Sequence, residues 1–273
     1  MPNELIIEAG HTERNYWRDL FRYRELFYFL AWRDVLVRYK QTVIGVLWAV
    51  LRPLLTMIVF TFVFSRIAKL PAEGVPYPVM VFTAMLPWQL FATSLSEGSA
   101  SLISNSNLIS KVYFPRLIVP ASAVIVSFVD FMISMALLGI MMAIYKVWPG
   151  WPLITLPIFT LMAMLASAGA GTWLSALTVK YRDFRYVVPF IVQFGLYVSP
   201  VGFSSSIVPE KWRMLYDLNP MVGVIDGFRW SISGARTPFP WQSIEISLAV
   251  IAILLVTGIW YFRKTERTFA DII

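Results

Sequence analysis

Apolar residues in this chain gather into unbroken runs, and polar residues collect in the intervals between them. Crossing the hydrocarbon of a bilayer as a helix takes about 20 predominantly apolar residues. Five runs meet that length, 42–65, 77–96, 117–145, 151–179 and 244–262; a sixth, 187–203, is shorter but carries no charge. Backbone polar groups in lipid must bond within their own segment, so all six read as helices. The predicted fold class is an all-α polytopic membrane protein, with six transmembrane helices in a domain covering 42–262. Runs 117–145 and 151–179 are long enough to tilt or to project past the bilayer.

The intervals carry patterns of their own. Residues 1–41 form a tail and an amphipathic interface helix: within 13–40, Trp17, Leu20, Phe21, Tyr28, Ala31 and Val35 share one face, and Arg18, Arg22, Glu25 and Arg33 the other. Such a helix lies in the headgroup plane, either as a plain anchor or as a collar that also touches a partner. The stretch 98–115, GSASLISNSNLISKVYFP, is rich in Ser and Asn. A polar, near-neutral helix there needs water or a protein groove, so the coupling loop 98–116 is either solvated or a docking element for a soluble motor. The interval 204–242 is too apolar for a free loop. Pro209 opens one helix, Asn219-Pro220 breaks it near Leu218, and a second helix runs to Ser233 and closes at Gly234. Each is too short to cross, which predicts a re-entrant outer hairpin. Residues 263–273 read as a C-terminal tail.

Composition sharpens this picture. Hydrophobic residues make up 58% of the chain and charged residues 14%, against about 45–50% and 25% in soluble domains. There is no Cys, and His11 is the single histidine, which excludes a disulfide scaffold and Cys/His chemistry. The net charge of +7 reports Lys and Arg facing the cytosol and anionic lipid, not nucleic acid. With six spans both termini share one side. That side collects most of the basic residues, from Arg14 through Lys40, Lys111, Lys180 and Arg182 to Arg267, so the termini are expected in the cytosol. Trp148, Trp151 and Trp241 then mark the outer interface and Trp260 the inner one. The first apolar run starts far behind a tail of mixed charge, which does not suit a cleavable signal.

Enzyme signatures are missing. No G-x-x-x-x-G-K-[ST] phosphate loop, H-E-x-x-H, CxxC pair or G-x-S-x-G occurs, so the chain is expected to carry no catalytic residues, metal site or cofactor. Asp130, near the middle of the third run, costs about 2.5–3.5 kcal/mol to insert and must face protein or water. With no other intramembrane charge evident beside it, a helix–helix hydrogen bond is the favoured role over an ion site. Glu97, near the inner end of the second run, reads as a gate or interface group. Asp226 and Arg229 stand three apart in the outer hairpin and can pair. Ala163, Ser167, Gly171 and Ser175 recur every fourth position and let two helix backbones approach, within the subunit or across a dimer. Phe190, Phe194 and Tyr197, and Phe60 and Phe64, form aromatic stripes. These are packing surfaces, or ring faces for sugars passing through a pore.

Four stretches, RDVLVRYKQTVIGVLWAVLRPLL (33–55), SNSNLISKVYFPRLIVP (104–120), VKYRDFRYVVPFIVQFGLYVSPV (179–201) and LNPMVGVIDGFRW (218–230), in this order and spacing, resemble the membrane subunits of ABC-2-type polysaccharide exporters. That family moves O-antigen, capsule or teichoic acid. The resemblance implies a channel-forming homodimer in the bacterial inner membrane, working with two copies of a cytosolic ATPase that binds the ATP and Mg. It implies a lipid-pyrophosphate-linked polysaccharide as substrate, O-antigen foremost. Carried onto this chain, Ser104, Asn105, Asn107, Leu108, Ile109, Lys111 and Tyr113 would dock on the ATPase. Arg38, Lys40, Arg52 and Arg116 would be candidates to meet the pyrophosphate, a role the guanidinium group suits. The competing readings are an exporter of drugs or small lipids and, from another class, an ion-coupled carrier.

Overall fold

The computed structural model describes residues 16–40, 45–72 and 74–269. His11, the start of the stretch 13–40 and the opening of the first run (42–44) lie outside the described residues. All regular structure among the described residues is helical. Helices α1 (Tyr16–Arg22) and α2 (Arg24–Lys40) precede α3 (Gly45–Phe60), which continues as a π-helical turn, Thr61–Ile67. Next come α4 (Tyr77–Ser104), the short α5 (Ser106–Lys111), α6 (Ile118–Ile144) and α7 (Leu156–Lys180). The chain ends with α8 (Phe184–Val198), α9 (Glu210–Asp217), α10 (Pro220–Ser233) and α11 (Trp241–Thr265).

Among the described residues, five segments are long and apolar enough to cross a membrane: Val50–Ile67, Tyr77–Ser104, Ile118–Ile144, Trp151–Lys180 and Trp241–Thr268. The sixth predicted run forms α8, a helix of 15 residues. Helix α4 is the centre of the bundle. Its most apolar stretch is 83% buried inside the chain, against 17% for that of α3, which therefore stands at the periphery.

Lipid tails are as apolar as Leu, so the helices are held by close packing. The small-residue stripe serves that end within the subunit: Ala163, Ser167 and Ser175 are fully buried, and Gly171 lies against Gly98 of α4. The opposite face of α7 meets α11 even more closely, because a Cβ on Gly258 would stand 2.4 Å from the Gly169 carbonyl oxygen. Buried hydroxyls return to their own helices, as Thr160 does to Leu156 O at 2.9 Å and Thr178 to Leu174 O at 2.7 Å. Their polar atoms thus need no external partner.

The two short helices between the fifth and sixth runs are both present, and local chemistry sets their ends. The Asn219 side chain accepts from Met221 N at 3.0 Å, Pro220 fills the first helical position, and Gly234 ends α10 at φ 71°. Helix α10 is threaded into the bundle: Val224, Ile225 and Phe228 have no exposed surface. A Cβ on Gly223 would reach 2.3 Å from Ser243 O, which is how α10 lies so near α11.

A second, smaller core sits at the other end. Tyr16 and Leu30 pack there with Leu102, Ile109, Phe114 and Leu117, the end of α7, and Phe262 and Phe269. Residues up to Phe269, which is 1% exposed, are therefore built into the fold, where a tail beginning at Arg263 was expected.

The single apolar face expected for α1 and α2 divides in two. Leu20 and Ala31 pack inward as expected, together with Tyr16, Leu26 and Leu30. Trp17, Phe21 and Tyr28 are exposed, and Tyr28 stacks on Trp32 at 6.3 Å. A turn at Tyr23 separates the two helices and breaks the continuous periodicity.

Candidate functional site

Helices α2, α3, α4 and α6 enclose a cavity of about 310 Å³, open on one side. Its charged centre is contributed by three elements. Arg38, near the C-terminus of α2, donates through Nη2 to Glu97 of α4 and through Nη1 to Asp130 of α6. Tyr39 donates its hydroxyl to the other Asp130 oxygen. Burial, and then the Asp130 carboxylate, push the Tyr39 phenol well above its ordinary pKa, so it stays a donor. The three charged side chains are about a third exposed (30%, 35% and 27%), which places them at the wall of the cavity. Arg52 and Trp48 of α3, Gln89 and Thr93 of α4, and Ser127 and Ser134 of α6 complete its polar lining.

This overturns the reading of Asp130 as an acid without a charged neighbour. Its partner lies 92 positions away in sequence, in a different helix. The helix–helix hydrogen bond favoured for Asp130 is present, tying α6 to α2. Glu97 joins the same cluster.

The remaining pyrophosphate candidates are dispersed. Arg52 is exposed at the cavity, and Lys40 is exposed at the end of α2. Arg116 lies in the second core: its backbone N–H donates to Glu266 Oε1 at 2.8 Å and its guanidinium to the Glu266 carbonyl. Arg263 stacks over Tyr16 in the same region, 4.6 Å from the ring centre. The sequence signal for this joint was available in Phe269, an aromatic residue in a supposedly solvated tail.

The docking candidates divide by direction. Ile109 is 4% exposed and Leu108 packs partly against the second core, so both hold α5 in place. Ser104, Asn107, Lys111 and Tyr113 are exposed, Tyr113 at 43%. Asn105 is tied to α2, its side-chain oxygen accepting from Arg33 Nη2 at 2.9 Å.

The aromatic candidates form two groups. Phe60 is buried, stacks on Phe64 at 5.4 Å and meets Tyr197 at 6.3 Å. Phe190 and Phe194 stack at 5.9 Å and are 67% and 60% exposed. With Tyr197 and Tyr186 they give α8 an aromatic strip that is largely exposed among the described residues, Tyr197 alone meeting Phe60 of α3. In the hairpin, Arg229 is buried and donates to Phe203 O at 2.7 Å and Val201 O at 3.1 Å, while Tyr77 donates to Gly202 O at 2.5 Å. The bend after α8 is thereby pinned. Burial and the charge of Asp226 raise the Tyr216 phenol, and Arg229 opposes them, so all three lie within electrostatic reach. Among the described residues no group of three His, Cys, Asp or Glu side chains could hold a metal.

Residues 25–232, from α2 to nearly the end of α10, match the ABC-2 type transporter family. The chain belongs to that family. It is 28% identical over 257 residues to the O-antigen export system permease protein RfbA of Myxococcus xanthus, covering 93% of this chain and 97% of that protein. It is 27% identical over 242 residues to the O-antigen export system permease protein RfbA of Klebsiella pneumoniae, covering 88% and 92%. The matched region of this ABC-2 chain contains the charged cavity, α5 and the aromatic strip of α8.

Proposed function

We propose that this chain is the channel-forming membrane subunit of an ATP-driven exporter of lipid-pyrophosphate-linked polysaccharide, O-antigen foremost, in the bacterial inner membrane. Two copies enclose the conduit, and two copies of a separate cytosolic ATPase supply the energy. Helix α8 is the short fifth of six crossings, α9 and α10 form an outer re-entrant hairpin, and both termini face the cytosol. Arg52, exposed at the cavity, and Lys40, exposed at the end of α2, meet the pyrophosphate. Exposed Asn107, Lys111 and Tyr113 meet the ATPase. ATP-driven closure of the ATPase pair then reaches the bundle as a rigid-body shift through α5 and through the Arg33–Asn105 tie to α2.

The observation that carries this reading is the exposed aromatic strip of Tyr186, Phe190, Phe194 and Tyr197. Ring faces pack on the C–H faces of sugars while the hydroxyls stay wet, and a second copy would close two such strips around a polymer. The near full-length similarity to two O-antigen permeases supports the choice of cargo. Purification in mild detergent together with the ATPase tests the assembly: mass measurement should give two copies of each. A stable complex with one copy of this chain would contradict it.

A further inference from the structure

The cavity between α2, α3, α4 and α6 has a lining of which the pyrophosphate reading uses only Arg52. Its ionised groups cancel, Arg38 and Arg52 against Glu97 and Asp130. The Arg38 guanidinium already faces both carboxylates, and those carboxylates repel any phosphate placed among them. An acyl chain fits no better, since it would leave four ionised groups and an amide without water.

An uncharged ligand rich in hydroxyls fits each feature. A carboxylate has about four acceptor positions. Asp130 gives two of them to Arg38 and Tyr39, and Glu97 gives one to Arg38, which leaves charge-assisted acceptors for hydroxyl donors. Gln89 brings donors and an acceptor, and among the described residues its amide makes no hydrogen bond inside the chain. The Trp48 ring lines the same space and is 57% exposed, presenting a face for sugar C–H groups. The volume of about 310 Å³ is at the bottom of the roughly 300–1,000 Å³ range of small-molecule sites. That suits a single sugar unit and not a polymer.

We propose that this cavity is a subsite for the sugar joined directly to the lipid diphosphate, with Trp48, Gln89, Glu97 and Asp130 holding the ring and Arg52 taking the adjoining phosphate. The inference rests on the exporter reading and deepens it. The site selects glycan-bearing lipid over bare lipid diphosphate before the polymer enters the conduit, and it is separate from the aromatic strip of α8.

Binding of farnesyl diphosphoglucose and of farnesyl diphosphate to the purified full-length chain in detergent tests this. The glucose-bearing lipid should bind about tenfold more tightly. Trp48→Ala and Gln89→Ala should each remove most of that difference, leaving the affinity for farnesyl diphosphate and the melting temperature unchanged. Equal affinities, no binding of either lipid, or a difference that survives both substitutions would overturn the subsite. The exporter reading is judged separately, by ATP-dependent polymer export: export with equal affinities rejects the subsite alone, and loss of ATP dependence rejects the exporter.

Discussion

Arg38 faces two carboxylates supplied by two different helices, so removing it strands negative charge against an apolar wall. The three side chains are about a third exposed, and water screens part of that penalty. Arg38→Ala should therefore cost about 1–3 kcal/mol, read as a lowered melting temperature in detergent. Neutralising both acids in the same protein, Glu97→Gln with Asp130→Asn, should recover most of the loss. No recovery would mean that the arginine acts through packing of its stem.

Asp217 supports a pH prediction. It is buried, accepts from Ser243 Oγ at 2.9 Å, and its second oxygen has no partner among the described residues. Burial raises its carboxyl, outweighing the lowering effects of Ser243 and Arg213. The folded protein then holds that proton more tightly than the unfolded chain. The resulting stability is fully present below the ordinary carboxylate pKa of about 4 and is lost as pH rises through the raised value. Melting temperature should fall across that window in the native protein and fall less in Asp217→Asn. Parallel curves would assign the dependence to other groups.

At the scale of elements, α5 is a helix with an anchored side and a presented side. Ile109→Asp buries a charge in the second core and should destabilise the subunit by several kcal/mol. Tyr113→Asp, exposed just beyond the end of α5, should change stability by less than about 0.5 kcal/mol and still cut ATP-dependent export. Equal melting and unchanged export in Tyr113→Asp would remove the docking role. Packing gives a second prediction: Gly258→Val should cost about 1–3 kcal/mol or more, because the new side chain meets the Gly169 carbonyl of α7. An unchanged melting temperature would mean that α7 and α11 are more loosely joined than drawn.

The limits of α9 and α10 were legible in the sequence because Pro209, Asn219-Pro220 and Gly234 act on the backbone beside them. The long apolar runs were legible for the same reason of local sufficiency. The orientation of α1 and α2 was not, since a helix with aromatic residues all round has more than one apolar face. Helical periodicity does not say which face meets the bundle. The Arg38–Asp130 pairing and the burial of Phe269 depend on distant segments and leave no periodic trace.

At the scale of the whole molecule, α4 and α10 form a rigid interior, while α3 and α8 stand at the edge with aromatic faces. That division suits the proposed subunit, which would move as a body and meet a second copy through its peripheral helices. The most direct test reconstitutes the chain with its ATPase in sealed vesicles loaded with lipid-linked polysaccharide. Translocation of polymer should require ATP, stop with an ATPase-dead partner, and ignore an imposed proton or sodium gradient. Translocation by this chain alone, driven by such a gradient, would contradict the account.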